Sequence, residues 1–279
     1  MTFNPWIGCT KVSPGCANCY AEELMDKRYG RVNWGKGNPR SRTSETYWNE
    51  PLRWNRKAEK QINQQTRVFC ASLSDWLDPE VPIEWLAHLL DLIRQTPHLD
   101  WLLLTKRPEL WRGRLEACWD NVHLGNGQCP SSDWLADWLD GNPPRNVWIG
   151  TSIEDRKRAD ERIPALLKIP AKVRFLSCEP LLGAVDLTRP FATTSSRGNA
   201  NGVTGYSCPL HWVIVGGESG NNARPMEVGW ARSLRDQCNA AGIAFFMKQM
   251  GGSRDKRGEL SDLPEDLRIR EFPEVQSYE

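Results

Sequence analysis

Three cysteines near the start of the chain have the residue type and spacing to bind a metal. Cys9, Cys16 and Cys19 lie in the segment GCTKVSPGCANCY and form a C-x6-C-x2-C pattern, with Pro14 and Gly15 in the loop between the first two. Cysteine thiolates hold iron–sulfur clusters, and a cluster with only three protein ligands leaves one iron open for a small molecule. The pattern therefore predicts a metal or iron–sulfur site on these three residues.

Other chemistries for the same thiols stay open. Zinc would ordinarily be held by a fourth Cys or His, and no histidine precedes His88 in the sequence. Cys16 and Cys19 alone form a C-x2-C pair, which is the spacing of a redox-active dithiol, and plain buried thiols are a third possibility. Nine cysteines without secretory features favour reduced thiols or metal ligands over a disulfide framework.

A second group of candidates follows the apolar runs of the sequence. In α/β proteins ligands bind beyond the carboxyl ends of parallel strands, so polar residues at those points are candidate site residues. The strand-end residues are Ser72, Ser74 and Asp75, then Thr105, Lys106 and Arg107, then Thr151, Ser152, Glu154 and Asp155, then Ser177, Cys178 and Glu179, then Gly216, Gly217, Glu218 and Ser219, and finally Lys248 and Gln249. Carboxylates and hydroxyls around one rim would suit an amino-acid-like or ribose-bearing ligand, and the glycines would allow close backbone approach.

The elements that must position these residues alternate along the chain. Short apolar runs predict strands at 68–75, 101–107, 146–155, 173–180, 211–220 and 243–249, with a further short strand around 3–7. Apolar residues at helical spacing predict helices at 83–95, 157–168 and 228–241. This alternation predicts an α/β fold, a partial (β/α)6-type barrel of parallel strands, with a doubly wound open sheet as the alternative.

Length and composition predict one domain over residues 1–252, with loop insertions near 118–145 and 185–210 and a charged, surface-exposed C-terminal tail at 253–279. No apolar stretch reaches the roughly 20 residues of a membrane span, and the N-terminus lacks signal-peptide features, so we expect a soluble, cytoplasmic protein with no membrane partner.

Charge neither requires nor excludes nucleic acid as a partner. Lys and Arg total 36 against 35 Asp and Glu, so no global field favours a polyanion. Two basic segments, 53–61 and 104–114, interleave Arg or Lys with Trp. Such segments are either solvated helix faces or surfaces that bind a nucleic-acid backbone.

The sequence resembles the phage Gp37/Gp68 family, also described as the DUF5131 family. The resemblance covers nearly the whole chain and runs in order through the phrases GCTKVSPGCANCYAE, FCASLSDW, LLLTKRPE, VWIGTSIED, FLSCEPLLG, WVIVGGESG, ARPM and FFMKQMGG.

That family in turn resembles the radical SAM superfamily. The resemblance implies a radical SAM-like barrel, a [4Fe–4S] cluster on Cys9, Cys16 and Cys19, and S-adenosyl-L-methionine bound at the open iron. This chain departs from the superfamily's usual C-x3-C-x2-C spacing, and Asn18 stands where an aromatic residue usually precedes the last cysteine.

The same resemblance implies roles for the strand-end residues. Ser72 and Asp75 would contact the methionine amino group, and Thr151, Ser152 and Glu154 would contact the ribose or carboxylate. Glu179, Glu218 and Lys248 would face the substrate as catalytic residues, with Gln249 beside them.

The implied function is reductive cleavage of S-adenosylmethionine to modify a substrate, for which a nucleoside or nucleic acid is the leading expectation. The reductant would be a protein such as flavodoxin or ferredoxin. The competing hypothesis is a non-catalytic regulatory module that binds zinc or an iron–sulfur cluster.

Overall fold

The computed structural model describes residues 1–61, 66–126, 130–188, 210–253 and 256–274. Strands and helices alternate through most of this length. The strands are β1 (Trp6–Ile7), β2 (Ser41–Arg42), β3 (Thr66–Cys70), β4 (Leu99–Thr105), β5 (Val147–Ser152), β6 (Val173–Cys178), β7 (Trp212–Gly216) and β8 (Ala244–Gln249). The helices are α1 (Tyr20–Glu22), a π-helical turn (Glu23–Arg28), α2 (Glu45–Trp48), α3 (Glu50–Ala58), α4 (Ile83–Arg94), α5 (Trp111–Asn126), α6 (Pro130–Leu139), α7 (Arg156–Leu167) and α8 (Val228–Ala241). Among the described residues, no helix is both long and apolar enough to cross a lipid bilayer.

Six of the strands form one sheet in which spatial order follows chain order, from β3 to β8. Pairing is parallel between β3 and β4, between β6 and β7, and between β7 and β8. A sequential parallel order is that of a partial (β/α) barrel, whereas a doubly wound sheet reverses its order at a switch point. The α/β prediction is therefore confirmed, and strand order argues against the doubly wound alternative.

Contacts divide the chain into two compact units, and the prediction of one domain over residues 1–252 stays a prediction. The first comprises residues 1–13, 19–150 and 168–172, and the second comprises 14–18, 151–167 and 173–279. Cys9 and Cys19 thus belong to the first unit and Cys16 to the second.

In the first unit, the buried side of α4 and the strand β4 supply much of the core. Leu86, Leu89 and Ile93 of α4 are fully buried, as the helical spacing of its apolar residues predicts. Trp101 of β4 is also fully buried, and its indole Nε1 donates to the hydroxyl of Thr96, 3.0 Å away, just beyond the helix. This polar contact satisfies the one hydrogen-bond donor of the buried ring.

The N-terminal segment differs from the prediction of a parallel strand around 3–7. Only Trp6–Ile7 is a strand, and it pairs antiparallel with Ser41–Arg42 in a separate two-stranded sheet. Isolated parallel bridges join Thr2 to Phe69 and Gly8 to Ser74, so the segment still runs alongside β3 and the residues that follow it.

Residues 118–145, predicted as a loop insertion, are largely helical, because α5 and α6 run through them. Their Gly, Pro, Asn and Asp content suggested a loop, but buried residues recur at helical spacing. Trp138 of α6 is fully buried, makes an edge contact with Trp111, and donates from Nε1 to the carbonyl of Pro170 at 2.8 Å. Tertiary packing therefore outweighs the local composition.

In the second unit, α8 occupies the predicted range 228–241 and ends at Gly242, whose φ of 66° is the left-handed cap that favours glycine. Most of the predicted insertion 185–210 lies outside the described residues. The C-terminal tail was predicted to be exposed, but Leu263 and Leu267 are buried and Phe246 of β8 bridges to Arg270. Apolar residues at a few positions are enough to dock this charged segment.

Candidate functional site

Asp75 lies beyond the carboxyl end of β3 and is the centre of a buried polar network. Its carboxylate accepts hydrogen bonds from the Thr105 hydroxyl at 2.7 Å, the Lys106 backbone amide at 2.9 Å, and Nη1 of Arg107 at 2.9 Å. The Leu77 amide donates to it as well, at 3.0 Å. The predicted strand-end residues of β3 and β4 therefore come together through this one carboxylate.

The guanidinium of Arg107 joins that network to the first cysteine. Nη1 lies 3.6 Å and Nη2 3.8 Å from the Sγ of Cys9, and Nη2 donates to the carbonyl of Thr10 at 2.7 Å. Burial, assisted by the charge of Asp75, raises the pKa of the Cys9 thiol to about 12, while Arg107 acts in the opposite direction. The positive charge beside the sulfur would stabilise a thiolate that is ligated to a metal.

Backbone contacts hold the N-terminal segment against the residues after β3. The side-chain oxygen of Asn4 accepts from the amides of Ser72 and Leu73 at 2.8 and 2.9 Å, and the amide of Gly8 donates to the Leu73 carbonyl at 3.1 Å. Ser72, predicted to bind cofactor, donates its hydroxyl to Asn4 and accepts at its carbonyl from the hydroxyl of Tyr20 at 2.5 Å. These bonds fix where the chain enters the cysteine segment.

A buried arginine secures the next turn of the first unit. Nε of Arg40 donates to Asp78 at 2.9 Å, and Nη2 donates to the hydroxyl of Thr10 at 2.8 Å and also pairs with Glu80. The Thr10 hydroxyl donates in turn to Glu80 at 2.9 Å. A buried charge of this kind needs such complete pairing, and here it holds the residue that directly follows Cys9.

In the second unit, two carboxylates contact the loop that carries Cys16. The amide of Gly15 donates to Oε1 of Glu154 at 3.3 Å, and a Cβ at Gly15 would lie 3.1 Å from the Cδ of that carboxylate. Nδ2 of Asn18 donates to Oε2 of Glu218 at 2.9 Å and to the Asn222 carbonyl at 2.7 Å. The loop therefore lies at the carboxyl ends of β5 and β7.

Each of these carboxylates also has an arginine partner. Nη1 of Arg162, from α7, lies 2.8 Å from Oε2 of Glu154 and 2.8 Å from the Ser152 carbonyl. Arg224 donates from Nε to Glu218 at 2.8 Å and from Nη2 to the Pro14 carbonyl at 2.9 Å. Burial acts to raise the pKa of Glu218, but hydrogen bonds from Arg224 and Asn18 outweigh it and lower that pKa.

Glu179 and Lys248 form a separate and more accessible ion pair. Nζ of Lys248, at the end of β8, lies 2.7 Å from Oε2 of Glu179, just beyond β6, and the two side chains are 50 % and 20 % exposed. Gly216 of β7 leaves room for them, since a Cβ there would lie 3.3 Å from the Cδ of Glu179. This pair is the most solvent-accessible of the predicted catalytic groups.

The remaining predicted residues are buried within the sheet or used by the backbone. Thr151 and Ser152 belong to β5 and have exposures of 0 % and 2 %. At Gly217 the close approach predicted for a ligand is made by the chain itself, because a Cβ there would lie 2.0 Å from the carbonyl oxygen of Met250. Cys178 is fully buried, and burial raises the pKa of its thiol, so it is an inert core residue.

Sequence reasoning missed the arginines that pair with the strand-end carboxylates. The sequence pattern marks Arg107 only as a strand-end residue and assigns no role to Arg162 or Arg224. The available signal was that a buried carboxylate needs a cationic partner, and each of the last two follows its carboxylate by less than ten residues. Asp75, Glu154 and Glu218 are thus occupied by protein contacts that fix the cysteine segment.

The three cysteines fit an iron–sulfur cluster by the chemistry of their side chains. Cys9, Cys16 and Cys19 are intermediate in burial, whereas Cys70, Cys118, Cys178 and Cys238 are buried. Within the part of the chain that the structure describes, no group of three or more His, Cys, Asp or Glu side chains is arranged to hold a metal ion. The ligand assignment therefore stays a prediction.

Searches of curated proteins and of solved structures find no match to this chain. A family model described as a protein of unknown function, DUF5131, matches residues 1–271. This range includes the cysteine segment and every strand-end residue considered above. The chain therefore belongs to the DUF5131 family.

Proposed function

We propose that this chain is a radical SAM-type enzyme that cleaves S-adenosylmethionine reductively at a three-cysteine [4Fe–4S] cluster and thereby modifies a substrate. Cys9, Cys16 and Cys19 would hold the cluster. When bound, it would supply the electron for cleavage and leave one iron open for S-adenosylmethionine.

One observation carries the proposal. Cys9 in the first unit and the loop around Cys16 in the second unit each lie at the carboxyl ends of parallel strands of the same unit. In the first unit, Arg107 contacts Cys9 and pairs with Asp75. In the second, Glu154 and Glu218 hold Gly15 and Asn18 on either side of Cys16. Ligands of α/β proteins bind at this end of the strands.

The arginines and carboxylates would orient the cluster ligands. Arg107 places a positive charge against the sulfur of Cys9, which stabilises the deprotonated ligand. Glu154 and Glu218 fix the backbone of the intervening loop and so limit where Cys16 can lie. Charged groups that are held by partners in this way are preorganised before any ligand binds.

Contacts to S-adenosylmethionine and substrate would come from the other strand ends. Ser72, which is half-buried, and the polar groups around Asp75 and Glu154 remain candidate cofactor contacts, whereas Thr151 and Ser152 are buried within β5 and would act only from behind these groups. Glu179 and Lys248 face solvent more than the buried pairs do, which suits groups that exchange hydrogen bonds with a substrate. Flavodoxin or ferredoxin would deliver the electron.

Anaerobic purification followed by two measurements tests the proposal. We expect about four irons per chain, as [4Fe–4S] chemistry requires, and release of 5′-deoxyadenosine that depends on dithionite. Cys9→Ala, Cys16→Ala and Cys19→Ala should each lose the absorbance near 400 nm and the cleavage activity. Cys238→Ala, which removes a buried thiol of α8, is the matched control and should keep both.

Zinc in place of iron, with no cleavage, would support the regulatory module instead. Full iron content and activity in any of the three N-terminal variants would show that the ligand assignment is wrong.

A further inference from the structure

A cation–aromatic cluster is exposed shortly after the third cysteine. It consists of Arg28, Tyr29 and Arg31, at the end of the π-helical turn and just beyond it. The Cζ atoms of Arg28 and Arg31 lie 5.5 and 5.7 Å from the centroid of the Tyr29 ring. All three residues are exposed, and Tyr29 keeps 52 % of its surface accessible. The cluster therefore presents an aromatic ring and two guanidinium groups together to solvent.

The segment that carries the cluster is firmly packed on its other side. Met25 and Val32 are buried with Ile7 in a small apolar core, against which Leu24 and Trp34 pack. The outward direction of Tyr29 is therefore fixed by its neighbours and is not an effect of a loose loop. π-helical turns are rare and occur frequently at functional sites.

The carboxylates of this segment already have partners, which leaves its arginines electrostatically available. Glu23 pairs with Lys27 at 2.8 Å, and Asp26 accepts from the Trp34 amide at 2.6 Å. Glu22 pairs with Lys11 at 2.6 Å. Among the described residues, neither Arg28 nor Arg31 has a carboxylate within ion-pair distance, so both can receive an anion.

Arg28, Tyr29 and Arg31 thus combine phosphate-binding cations with flat stacking surfaces. Unpaired bases stack on aromatic rings and on guanidinium planes. Inside a duplex, both faces of each base are covered by the neighbouring base pairs, so such stacking favours single strands. The cluster follows Cys19 by only 9 to 12 residues of mostly helical chain. At about 1.5 Å per residue, that is a separation of less than about 20 Å.

We infer that Arg28, Tyr29 and Arg31 bind single-stranded nucleic acid and that this is the substrate class of the chain. The second half of this inference rests on the proposed function, and the first half does not. Of the two basic segments recognised in the sequence, 104–114 is a poorer candidate because Arg107 is buried against Asp75 and Arg112 pairs with Glu116.

Fluorescence anisotropy with the full chain and a labelled single-stranded 20-mer tests the binding site. Tyr29→Ala should weaken binding on the order of tenfold, because a stacking surface is lost, while Tyr29→Phe should bind as the parent does. Arg28→Ala/Arg31→Ala should weaken binding and reduce the slope of log affinity against log salt by about 1.4, or about 0.7 per cation.

Arg56→Ala/Lys57→Ala is the matched control, because it removes two exposed cations from α3, in the other basic segment. It should leave affinity within about twofold, as expected for cations outside the contacted surface. A larger loss in this control than in Arg28→Ala/Arg31→Ala would overturn the assignment. So would equal affinity for a duplex of the same sequence, or binding to vesicles containing phosphatidylserine but not to the oligonucleotide.

The binding assay needs neither cluster nor S-adenosylmethionine, so its outcome is independent of the cleavage assay. Oligonucleotide binding without any 5′-deoxyadenosine release would retain the binding site and reject the proposed function. Release of 5′-deoxyadenosine without oligonucleotide binding would retain the proposed function and reject the binding site.

Discussion

Nη1 of Arg107 lies 3.6 Å from the Sγ of Cys9 and 2.9 Å from Oδ2 of Asp75, so one guanidinium links the first cysteine to a strand-end carboxylate. Both side chains of the ion pair are almost fully buried. The carboxylate needs the guanidinium for charge compensation, and the thiol is held next to it. The stability of the fold and the position of Cys9, the proposed ligand, therefore depend on the same contact.

Replacement of Arg107 should reduce both stability and iron content. Arg107→Ala leaves the Asp75 carboxylate buried without its partner, which costs about 3–5 kcal/mol of unfolding free energy. Arg107→Lys keeps the charge but loses the planar fork, so its stability should be intermediate. Urea unfolding and iron content after anaerobic reconstitution are the measurements.

The control for Arg107 is Arg112→Ala, which removes an exposed arginine paired with Glu116 at 2.9 Å. Exposed pairs contribute about 0–1 kcal/mol, so this variant should resemble the parent. Equal stability of Arg107→Ala and Arg112→Ala would contradict the role given to Arg107.

Glu218 and Glu179 should respond differently to the same substitution. Glu218→Gln removes a buried charge that accepts from Arg224 and Asn18, and should lower the unfolding free energy by about 1–3 kcal/mol. Glu179→Gln weakens a partly exposed pair with Lys248 and should cost less than about 1 kcal/mol. The difference is expected because Glu218 is buried, whereas the pair of Glu179 with Lys248 is partly exposed.

Activity measurements should also distinguish Glu179 from Glu218. Glu179→Gln should reduce substrate turnover with the fold intact, whereas Glu218→Gln should act through the loop of residues 14–18 and so lower iron content as well. Thermal unfolding, iron analysis and 5′-deoxyadenosine release on the same preparations distinguish these cases. A destabilised Glu179→Gln with normal turnover would show that the exposed pair is structural.

The sequence predicted what depends on local pattern. Buried strands such as β4 and the helix α8 follow from apolar periodicity, and the candidate cysteines follow from their short spacing. The pairing of Asp75 with Arg107, or of Asn18 with Glu218, cannot be predicted from local pattern, because nothing in a residue's type specifies a partner 32 or 200 positions away. Such contacts are set by strand order, which periodicity leaves open.

Local composition was also misleading where tertiary packing decides the structure. The segment around Trp138 contains residues typical of loops, yet it is helical because the indole is buried against Trp111. Leu263 and Leu267 likewise dock a tail whose charge predicted exposure. In both places a few apolar contacts outweigh the average character of the segment.

Two glycines of the second unit should respond to alanine with opposite signs. At Gly217 a Cβ would lie 2.0 Å from the Met250 carbonyl oxygen, so the backbone must move, and Gly217→Ala should cost about 3 kcal/mol or more. At Gly229, in α8, a Cβ meets nothing within 4 Å. Gly229→Ala should therefore stabilise by about 0.5–1 kcal/mol.

Urea unfolding of both glycine variants measures the difference. The Gly229 variant also controls for any general effect of added side-chain volume. A mild effect at Gly217 would mean that the approach of the two backbone segments is looser than the structure indicates.

Asp100 should make stability depend on pH between about 4 and 6. Burial raises the pKa of this β4 carboxyl from 3.8 to about 6, although Arg67, its cross-strand neighbour, partly offsets the shift. Well below pH 3.8 the group is protonated in both folded and unfolded chains, so its contribution is fully present. As the pH rises through 6, the unfolded chain has already released the proton, and the folded chain must ionise a buried group, so stability is lost.

Asp100→Asn should therefore be more stable than the parent at pH 7.5, by about 1–2 kcal/mol after allowance for partial solvent screening, and equal to it at about pH 3. The Cζ of Arg67 lies 5.2 Å from the centroid of the Trp148 ring, so the arginine keeps this contact after the substitution. Asp137→Asn, at an exposed position of α6, is the control and should change the unfolding free energy by the same amount at both pH values. Urea unfolding at the two pH values measures the difference, because only the ionisation of Asp100 makes the gap between variant and parent depend on pH. A gap of the same size at both would show that Asp100 destabilises the fold through lost packing or hydrogen bonding, and not through its charge.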